Sequence, residues 1–399
     1  MSVETLALGC RLNSAEAESM AALATAGGLH HALIVNTCAV TAEAEAQARQ
    51  AIRRAAREKP GRPIIVTGCA ATLAPAAWAV LPGVARVLSN PEKLRPESWG
   101  APPLATPPAA TQRRARAFLE VQQGCDHHCT FCVIRIARGP SRAWALGDVL
   151  GAARQAVARG QQEVVLTGVD LASWRDGGQD IAGLARAVLA IPGLGRLRLS
   201  SLDPAAVPSA LLALWRDEPR LAPFLHLSAQ HGDAVVLKRM RRRHSPAQAL
   251  ELAHGARAAR PDMALGADLI AGFPTETEAQ HAASLALIEA LRPAALHVFP
   301  YSTRPGTAAA RMAPVPPALV KARAAALRAA GQHHAEAAAE AREGHIEAVI
   351  FDSPTEGTTA QGLRLRLAYG QAPRGALLPV PVHGREGAML LGEAPHGVA

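Results

Sequence analysis

The pattern of apolar and polar positions predicts that strands and helices alternate along most of the chain. Near the amino terminus, short apolar runs occupy residues 5–9, 32–37 and 63–68. Amphipathic helical patterns follow the first two runs, over residues 14–26 and 42–58. Alternating strands and helices are typical of a parallel sheet. The sequence therefore predicts an amino-terminal α/β unit built on such a sheet.

A second series of strand patterns follows. Its six apolar runs occupy residues 117–121, 163–167, 196–200, 224–228, 264–271 and 295–299. Helical patterns separate them, for example over residues 148–159, 181–190 and 277–291. Six strand–helix units fit an open, six-unit partial (β/α) barrel with its active site at the carboxyl ends of the strands. They fit an ordinary doubly wound sheet equally well, because periodicity alone does not distinguish the two.

The pattern changes again towards the carboxyl terminus. A helical stretch over residues 317–342 is followed by short, glycine-separated strand patterns at residues 345–351, 363–367, 376–382 and 389–391. Such short strands predict a small antiparallel β-barrel.

Composition suggests where the chain divides. Residues 99–110 are rich in proline and alanine and have the composition of a linker. The predicted domains are residues 1–110, 111–335 and 336–399, which suits a chain of 399 residues with 49% hydrophobic content. No apolar stretch reaches the roughly 18 residues that span a bilayer, so no membrane partner is predicted.

Three closely spaced cysteines indicate a metal site in the second series of strands. Cys125, Cys129 and Cys132 lie in the segment CDHHCTFC. A four-iron cubane has four irons to ligate, so three thiolates leave one iron open to a ligand that is not protein. The alternative is a zinc knuckle with His127 or His128 as fourth ligand, because structural zinc sites need four ligands.

The other three cysteines have similar surroundings. Cys10, Cys38 and Cys69 each follow one of the amino-terminal apolar runs. Ligand sites in parallel sheets gather beyond the carboxyl ends of the strands, so these thiols are expected to meet. The alternative is that each is a small buried hydrophobe. Three equivalent positions favour a second three-thiolate site, and metal binding by cysteine fits a reduced, cytoplasmic protein without an export signal.

The spacing Cys-x-x-x-Cys-x-x-Cys, with Phe131 before the last cysteine, resembles the signature of radical S-adenosylmethionine (SAM) enzymes. In that superfamily the open iron binds the amino and carboxylate groups of SAM. One electron from the cluster then cleaves SAM to a 5'-deoxyadenosyl radical. The resemblance implies the partial barrel rather than the doubly wound sheet.

The segments LGCRLN, NTCAVT and TGCA around the first three cysteines resemble the amino-terminal boxes of methylthiotransferases. The NTCAVT form is most like the branch that acts on N6-threonylcarbamoyladenosine at position 37 of tRNA, although Ser14 replaces a common glutamine. The resemblance implies two 4Fe–4S clusters, SAM, and a methylthio group installed at C2 of that base. One SAM would methylate a sulfur at the cluster of Cys10, Cys38 and Cys69, and a second would supply the radical.

Three other functions remain open on the sequence. One is a methylthiotransferase acting on a ribosomal protein side chain, and another is a methylthiotransferase acting on isopentenyladenosine in tRNA. The third is a non-enzymatic iron–sulfur RNA-binding protein.

Segments at the predicted strand ends also resemble the family, with Asp170 and His231 as departures from its usual residues. By that resemblance, small and polar residues at these ends are candidates for the SAM pocket. No acid–base catalytic residue is predicted, because the clusters and SAM carry the chemistry. The cofactor-binding candidates are Phe131, Gly168, Ser201, Gln230 and Arg241.

Charge points to a polyanionic partner. The formal net charge is +9 and the sequence pI is about 9.8. Arginines concentrate at residues 113–116, 135–142 and 238–243, which flank the predicted active face. The candidates for nucleic-acid contact are Arg113, Arg114, Arg135, Arg138, Arg242 and Arg243.

The resemblance implies the anticodon loop of tRNA as partner, with an electron donor such as a reductase or a flavodoxin-like protein, and a sulfur source. The predicted carboxyl-terminal barrel resembles the TRAM domain, a small RNA-binding barrel of this family. Its aromatic residues are only Phe351 and Tyr369. We therefore expect it to hold the RNA backbone by charge rather than by base stacking.

Overall fold

A parallel sheet organises the amino-terminal part of the molecule. The structure is a computed structural model that describes residues 3–102 and 115–394. Within the first range, four parallel strands lie side by side in chain order. They are β1 (Glu4–Ala7), β2 (Leu33–Thr37), β3 (Ile64–Gly68) and β4 (Val84–Val87). The helices of this unit are α1 (Arg11–Ala26), α2 (Ala42–Glu58), α3 (Cys69–Leu73) and α4 (Pro75–Ala79).

The helix starts of this unit lie directly beyond the strand ends. Cys10 is the N-cap residue of α1, and Cys69 is the first residue of α3. At the start of α2, the Thr41 hydroxyl accepts a hydrogen bond from the amide of Ala44 and satisfies one of the free N–H groups there. The sheet therefore presents its loops and helix starts at one edge, as the alternating pattern predicts.

The central unit is an open partial barrel. Its strands are β5 (Arg116–Gln123), β6 (Arg142–Ala143), β7 (Glu163–Gly168), β8 (Arg196–Leu199), β9 (Phe224–Gln230), β10 (Ala264–Ala271) and β11 (Ala295–Pro300). Six of them run parallel in chain order, and only the short β6 is antiparallel. Isolated bridges at Leu197 and Leu202 connect β8 to the segment around β9. The order never reverses, which confirms the partial barrel over a doubly wound sheet.

Eight helices of the described chain accompany this barrel. They are α5 (Ile134–Arg138), α6 (Leu146–Ala158), α7 (Ile181–Leu189), α8 (Ser209–Asp217), α9 (Ala234–Arg239), α10 (Pro246–Ala259), α11 (Glu278–Leu291) and α12 (Pro317–Glu340). All but α5 and α9, which lie beside the loop of residues 125–132, cover its outside. Alternate strand residues, such as Leu225, Leu227 and Ala229, pack in the core against these helices. The residues between them point into the barrel, because successive side chains of a strand face opposite sides. No described helix is long and apolar enough to cross a membrane.

A closed five-stranded barrel follows, and its strands all lie within the described residues. They are β12 (Ile346–Phe351), β13 (Glu356–Thr359), β14 (Arg364–Tyr369), β15 (Leu377–Glu386) and β16 (Met389–Glu393). Arg196 and Arg198, near the start of β8, donate hydrogen bonds to the carbonyls of Ala348 and Thr359 at 2.8 and 2.9 Å. The small barrel therefore closes the end of the partial barrel where the strands begin.

A buried ion cluster holds this junction. Glu163 is fully buried, and its carboxylate accepts hydrogen bonds from the Nε atoms of Arg196 and Arg198. Burial alone would raise the pKa of Glu163, but the guanidinium groups of Arg198 and Arg196 outweigh burial and lower that pKa to about 2. The carboxylate is therefore charged in the folded protein at any ordinary pH.

Replacing Glu163 with glutamine is expected to lower the free energy of unfolding by about 3–5 kcal/mol, because it leaves two buried guanidinium groups without their countercharge. The pKa of Glu163 is lower folded than unfolded, so its stabilising contribution is present above pH 4.5 and is lost as the pH falls towards 2. Denaturant unfolding as a function of pH measures this effect. Glu58→Gln, in an exposed pair with Arg54, is the control; an equal loss in both variants would contradict the account.

Candidate functional site

The carboxyl ends of β1, β2 and β3 bring Cys10, Cys38 and Cys69 together. A Cβ atom placed on Gly9 would lie 2.5 Å from Cys38 Sγ, so only glycine allows the backbone before Cys10 to approach so closely. Burial, with the neighbouring Cys10 and Cys69 thiols adding to it, raises the pKa of the Cys38 thiol to about 11. The three thiols therefore share one pocket at the sheet edge.

Side-chain amides tie the loops of this pocket to each other. Asn13 Nδ2 donates hydrogen bonds to the carbonyls of Leu8 at 2.8 Å and Thr37 at 3.1 Å. Asn36 Nδ2 donates to the carbonyl of Asn13 at 2.9 Å, and the Thr37 hydroxyl donates to the carbonyl of Thr67 at 2.7 Å. These bonds hold the three thiols in place before any ligand binds.

The central cysteine loop follows β5 and is anchored at both ends. Gly124 has a φ of 72°, and a Cβ atom there would lie 2.0 Å from the carbonyl oxygen of Pro140. The amide of Cys125 donates to the carbonyl of Gly139 at 3.1 Å. Within the loop, the Thr130 hydroxyl donates to the carbonyl of Arg239, at the end of α9, at 2.8 Å. The loop is therefore held between α5 and α9.

Both cysteine trios have the donor chemistry of iron–sulfur sites. Backbone amides donate to sulfur at 3.4 Å in each trio: Val40 to Cys38, His127 to Cys125 and Ile134 to Cys132. Such N–H···S bonds are a known means of tuning iron–sulfur clusters. Burial raises the pKa of Cys132 to about 12, so a bound cluster must displace the thiol proton. The residues present fit two three-thiolate clusters.

The spacing of the sulfurs differs from that of a closed zinc site. Tetrahedral zinc, with bonds of about 2.3 Å, places its sulfur ligands roughly 3.8 Å apart. Among the described residues, neither cysteine trio has its three sulfurs within 4.8 Å of one another. The sulfur ligands of a cubane bind different irons and are spaced more widely. Ligand atoms of Cys125, His127 and Asp170 do lie within 4.8 Å of one another, but this group contains only one of the three thiols. His128 contacts Arg135.

The five candidates for the SAM pocket lie around this end of the barrel. Phe131 packs edge-on against Phe273, with ring centroids 6.5 Å apart. Ser201 Oγ lies 3.4 Å from Asp268 Oδ2. The other three candidates occupy a strand end or the turn after α9: Gly168 at the end of β7, Gln230 at the end of β9 with φ 65°, and Arg241, exposed, with φ 56°.

His231, a departure from the family pattern, has a structural role. It is buried, and its Nδ1 accepts a hydrogen bond from the amide of Asp233 at 3.0 Å, which assigns the ring proton to Nε2. Nε2 lies 3.2 Å from Glu276 Oε2. That same oxygen accepts the amides of Gly272 and Phe273 at 2.9 and 3.2 Å. His231 therefore supports the loop that follows β10.

Three polar residues inside the barrel were missed in the sequence. Asp268 Oδ1 lies 2.9 Å from His226 Nε2 and 3.0 Å from His297 Nδ1. Burial opposes ionisation of Asp268, but its hydrogen bonds to the two histidines hold its pKa well below the usual range. The His297 side chain is 54% exposed and open to the barrel interior. The sequence pattern that could have identified them is the same in β9, β10 and β11: a polar residue stands between two apolar residues that face outward.

The arginines predicted to contact nucleic acid divide into three groups. Arg113 and Arg114 lie outside the described residues. Arg135 is exposed, and Arg243 is 44% exposed while paired with Asp203 at 2.9 Å. These two residues are at the surface, where phosphate can reach them.

For the other two arginines the prediction is wrong. Arg138 is 2% exposed, and its Nε donates to Cys69 Sγ at 3.1 Å. The Arg242 side chain is 9% exposed, and its nitrogens lie 3.1 Å from the carbonyl of Ser228 and 3.6 Å from Cys129 Sγ. A run of arginines resembles a solvated face in the sequence, but both of these side chains are directed at buried partners beside the cysteines.

The two cysteine trios adjoin each other. Helix α5, which follows Cys132, packs against α3, which begins at Cys69, and both contribute to one apolar core. Asn90 Nδ2 donates to the carbonyl of Ala137 at 2.8 Å across this contact. A second contact joins α2 to the loop after β11, where Arg304 pairs with Glu45. The amino-terminal unit therefore covers the open end of the barrel.

Comparison with protein families agrees with this geometry. The model of the radical SAM superfamily matches residues 119–288, and the model described as uncharacterized protein family UPF0004 matches residues 2–88. A solved radical SAM methyltransferase, TsrM from Kitasatospora setae, shares the fold with a TM-score of 0.53 at 16% identity, over 75% of this chain and 68% of that one. The fold, the central cysteine loop and these matches define a radical SAM enzyme.

Similar proteins of known function show which radical SAM family the chain belongs to. The threonylcarbamoyladenosine tRNA methylthiotransferase MtaB of Rickettsia prowazekii is 40% identical over 349 residues, which are 82% of this chain and 82% of the relative. The tRNA-2-methylthio-N(6)-dimethylallyladenosine synthase of Paracoccus denitrificans is 34% identical, over 87% of this chain and 85% of the relative. This chain belongs to the radical SAM methylthiotransferases, a family that uses SAM and two 4Fe–4S clusters.

Substituting one cysteine in each trio is expected to remove one cluster at a time. The reconstituted protein should hold about eight irons, and Cys129→Ala and Cys38→Ala about four each. Only Cys129→Ala should abolish reductive cleavage of SAM to 5'-deoxyadenosine. Iron and sulfide analysis with chromatography of the nucleoside measures both effects, and each variant is the control for the other. SAM cleavage by Cys129→Ala at the wild-type rate would contradict the assignment.

Proposed function

We propose that this enzyme installs a methylthio group at C2 of N6-threonylcarbamoyladenosine at position 37 of tRNA. The observation that carries the proposal is the adjacency of two three-thiolate sites, joined through α3 and α5 at the open end of the barrel. The bound clusters and SAM would supply hydrogen abstraction from carbon and the methylthio group. Acid–base chemistry does not suffice, because an aromatic C–H is too weakly acidic. Similarity to MtaB supports the choice of base.

The chain's own residues would hold the cofactor. We assign Phe131, Gly168, Ser201, Gln230 and Arg241 to the SAM pocket, since they surround the cysteine loop or follow strand ends of the barrel. Gly168 lets its strand end pack closely against Gln122, because a Cβ atom there would lie 3.0 Å from the Gln122 side chain.

The polar barrel interior favours threonylcarbamoyladenosine over isopentenyladenosine. A threonylcarbamoyl group carries a carboxylate and a hydroxyl, whereas an isopentenyl group has no polar atom. Asp268 engages one nitrogen of His297, and the other edge of that half-exposed ring is open to a substrate group. An apolar substituent would leave such polar groups without partners, which costs free energy.

The charged surface favours RNA over a ribosomal protein side chain. Arg135, Arg142 and Arg241 are exposed near the cysteine loop and are placed to contact phosphates. A base of the anticodon loop, which is single-stranded, can be splayed out into the barrel. The small barrel lies at the opposite end, with Phe351 buried and Tyr369 74% exposed. It would therefore contact tRNA away from the reacting base.

We further propose that residues 1–110 hold the sulfur-donating cluster, residues 111–335 bind SAM, and residues 336–399 assist RNA binding. The predicted boundary at residue 335 falls within α12. The enzyme would act in the cytoplasm with an external one-electron donor, such as a reductase or a flavodoxin-like protein, and with a sulfur source.

Mass spectrometry of nucleosides tests the proposal directly. Reconstituted enzyme, supplied with SAM, a reductant and tRNA containing N6-threonylcarbamoyladenosine, should produce the 2-methylthio derivative. Cys38→Ala should still cleave SAM and yield none. Isopentenyladenosine-containing tRNA and ribosomal protein are the comparison substrates. Methylthiolation of either, with none on the threonylcarbamoyl base, would overturn the proposal.

His297→Phe tests the polar interior. This variant is expected to raise KM for tRNA carrying the threonylcarbamoyl group by about tenfold, the range for loss of one hydrogen-bonded contact. SAM cleavage without tRNA should not change. Steady-state kinetics measures this effect, and Val298→Ile, which faces the outer core, is the control. An unchanged KM would show that the threonylcarbamoyl group does not contact His297.

A further inference from the structure

Arg138 makes an unusual set of contacts between the two cysteine trios. It ends α5, six positions after Cys132 in the chain, and is 2% exposed. Its Nε donates to Cys69 Sγ at 3.1 Å. Its Nη1 and Nη2 donate to the two carboxylate oxygens of Glu16 at 2.7 and 3.1 Å, and also to Gln123 Oε1 at 2.8 Å and Asn13 Oδ1 at 2.7 Å. One side chain thus spans both units.

Arg138 makes more hydrogen bonds than an ion pair with Glu16 requires. A bidentate pair with Glu16 would already satisfy the charge of a guanidinium group. The neighbouring Asn13 and Gln123 amides fix the plane of the group, so that its remaining N–H points at sulfur. Arginine suits this position because its donors lie in a rigid fork. The fork therefore aims one hydrogen bond at a cluster ligand.

Two buried basic side chains share one carboxylate beside Cys69. Glu16 is countered by Arg138 and also by the fully buried Lys93, whose Nζ lies 2.6 Å from Glu16 Oε2. Burial and the Glu16 carboxylate raise the pKa of nearby Glu120 to about 7. A positive charge and a hydrogen bond to a ligand sulfur both favour the more negative, reduced state of an iron–sulfur cluster.

We propose that Arg138 is a positioning residue that connects the two cysteine loops and raises the reduction potential of the amino-terminal cluster by donating to Cys69. The same side chain holds the end of the central cysteine loop against α3, so it also fixes the separation of the two clusters. This role is independent of which substrate is methylthiolated.

Redox titration tests the proposal without substrate. Arg138→Met and Arg138→Lys are made in the full chain carrying Cys129→Ala, where the amino-terminal cluster is the only one. Electron paramagnetic resonance follows its reduction. The midpoint potential should shift to more negative values, further in the methionine variant than in the lysine variant, which keeps the charge. Arg154→Met, an exposed arginine on α6, is the matched control and should not shift it.

A coupling measurement completes the test in enzyme that has both clusters. Arg138→Met should keep its iron and its SAM cleavage, while the ratio of methylthio product to 5'-deoxyadenosine falls by about tenfold or more, as is typical when a group supporting a metal ligand is lost. An unchanged potential with an intact cluster overturns the proposal. Loss of the amino-terminal cluster from both Arg138 variants also overturns it, because Arg138 would then serve assembly alone.

Discussion

The structure depends on a buried contact between helices that are far apart in the chain. Arg138, from the barrel unit, reaches Glu16 and Cys69 of the amino-terminal unit. Buried charges are tolerated only when they are paired and hydrogen-bonded, and this guanidinium group has partners for each of its nitrogens. The geometry leaves little freedom in how the two units meet. Because the cysteines lie beside this contact, their relative placement follows from it.

The two ends of the partial barrel carry different groups of residues. At the open end, the strand ends carry the SAM-pocket candidates, and the amino-terminal sheet supplies its own cysteines from the other side. At the closed end, Glu163 and two arginines attach the small barrel. Between the ends, His226, Asp268 and His297 make a polar layer inside the barrel. The cysteine trios, the polar layer and the small barrel therefore lie at successive positions along the barrel.

Much of this architecture could be predicted from the sequence. The bounds of β10 and α2 agree with the pattern because an almost continuous apolar run covers the strand and helical periodicity extends over the whole helix. The pattern does not predict the strand β13 (Glu356–Thr359), because a short run of glycine and threonine has no apolar periodicity. This segment is a strand because it forms hydrogen bonds with β12 and β14.

The site shows a similar division. The cysteines could be found because their spacing is local. The role of Arg138 could not, because its partner Glu16 lies 122 positions earlier and only the fold joins them. His226, Asp268 and His297 each looked like an isolated polar residue in a strand. All three side chains point into the barrel, but only the register of the strands shows that they lie side by side.

The central claim is that the two cysteine trios hold clusters that adjoin each other beside Arg138. Electron paramagnetic resonance of the fully reduced, reconstituted protein tests it most directly, with the single-cluster spectra of the Cys38→Ala and Cys129→Ala variants as references. Adjacent clusters predict a reduced spectrum that is broadened or split by spin–spin interaction. A spectrum equal to the sum of the two single-cluster spectra, with no interaction, would contradict the account.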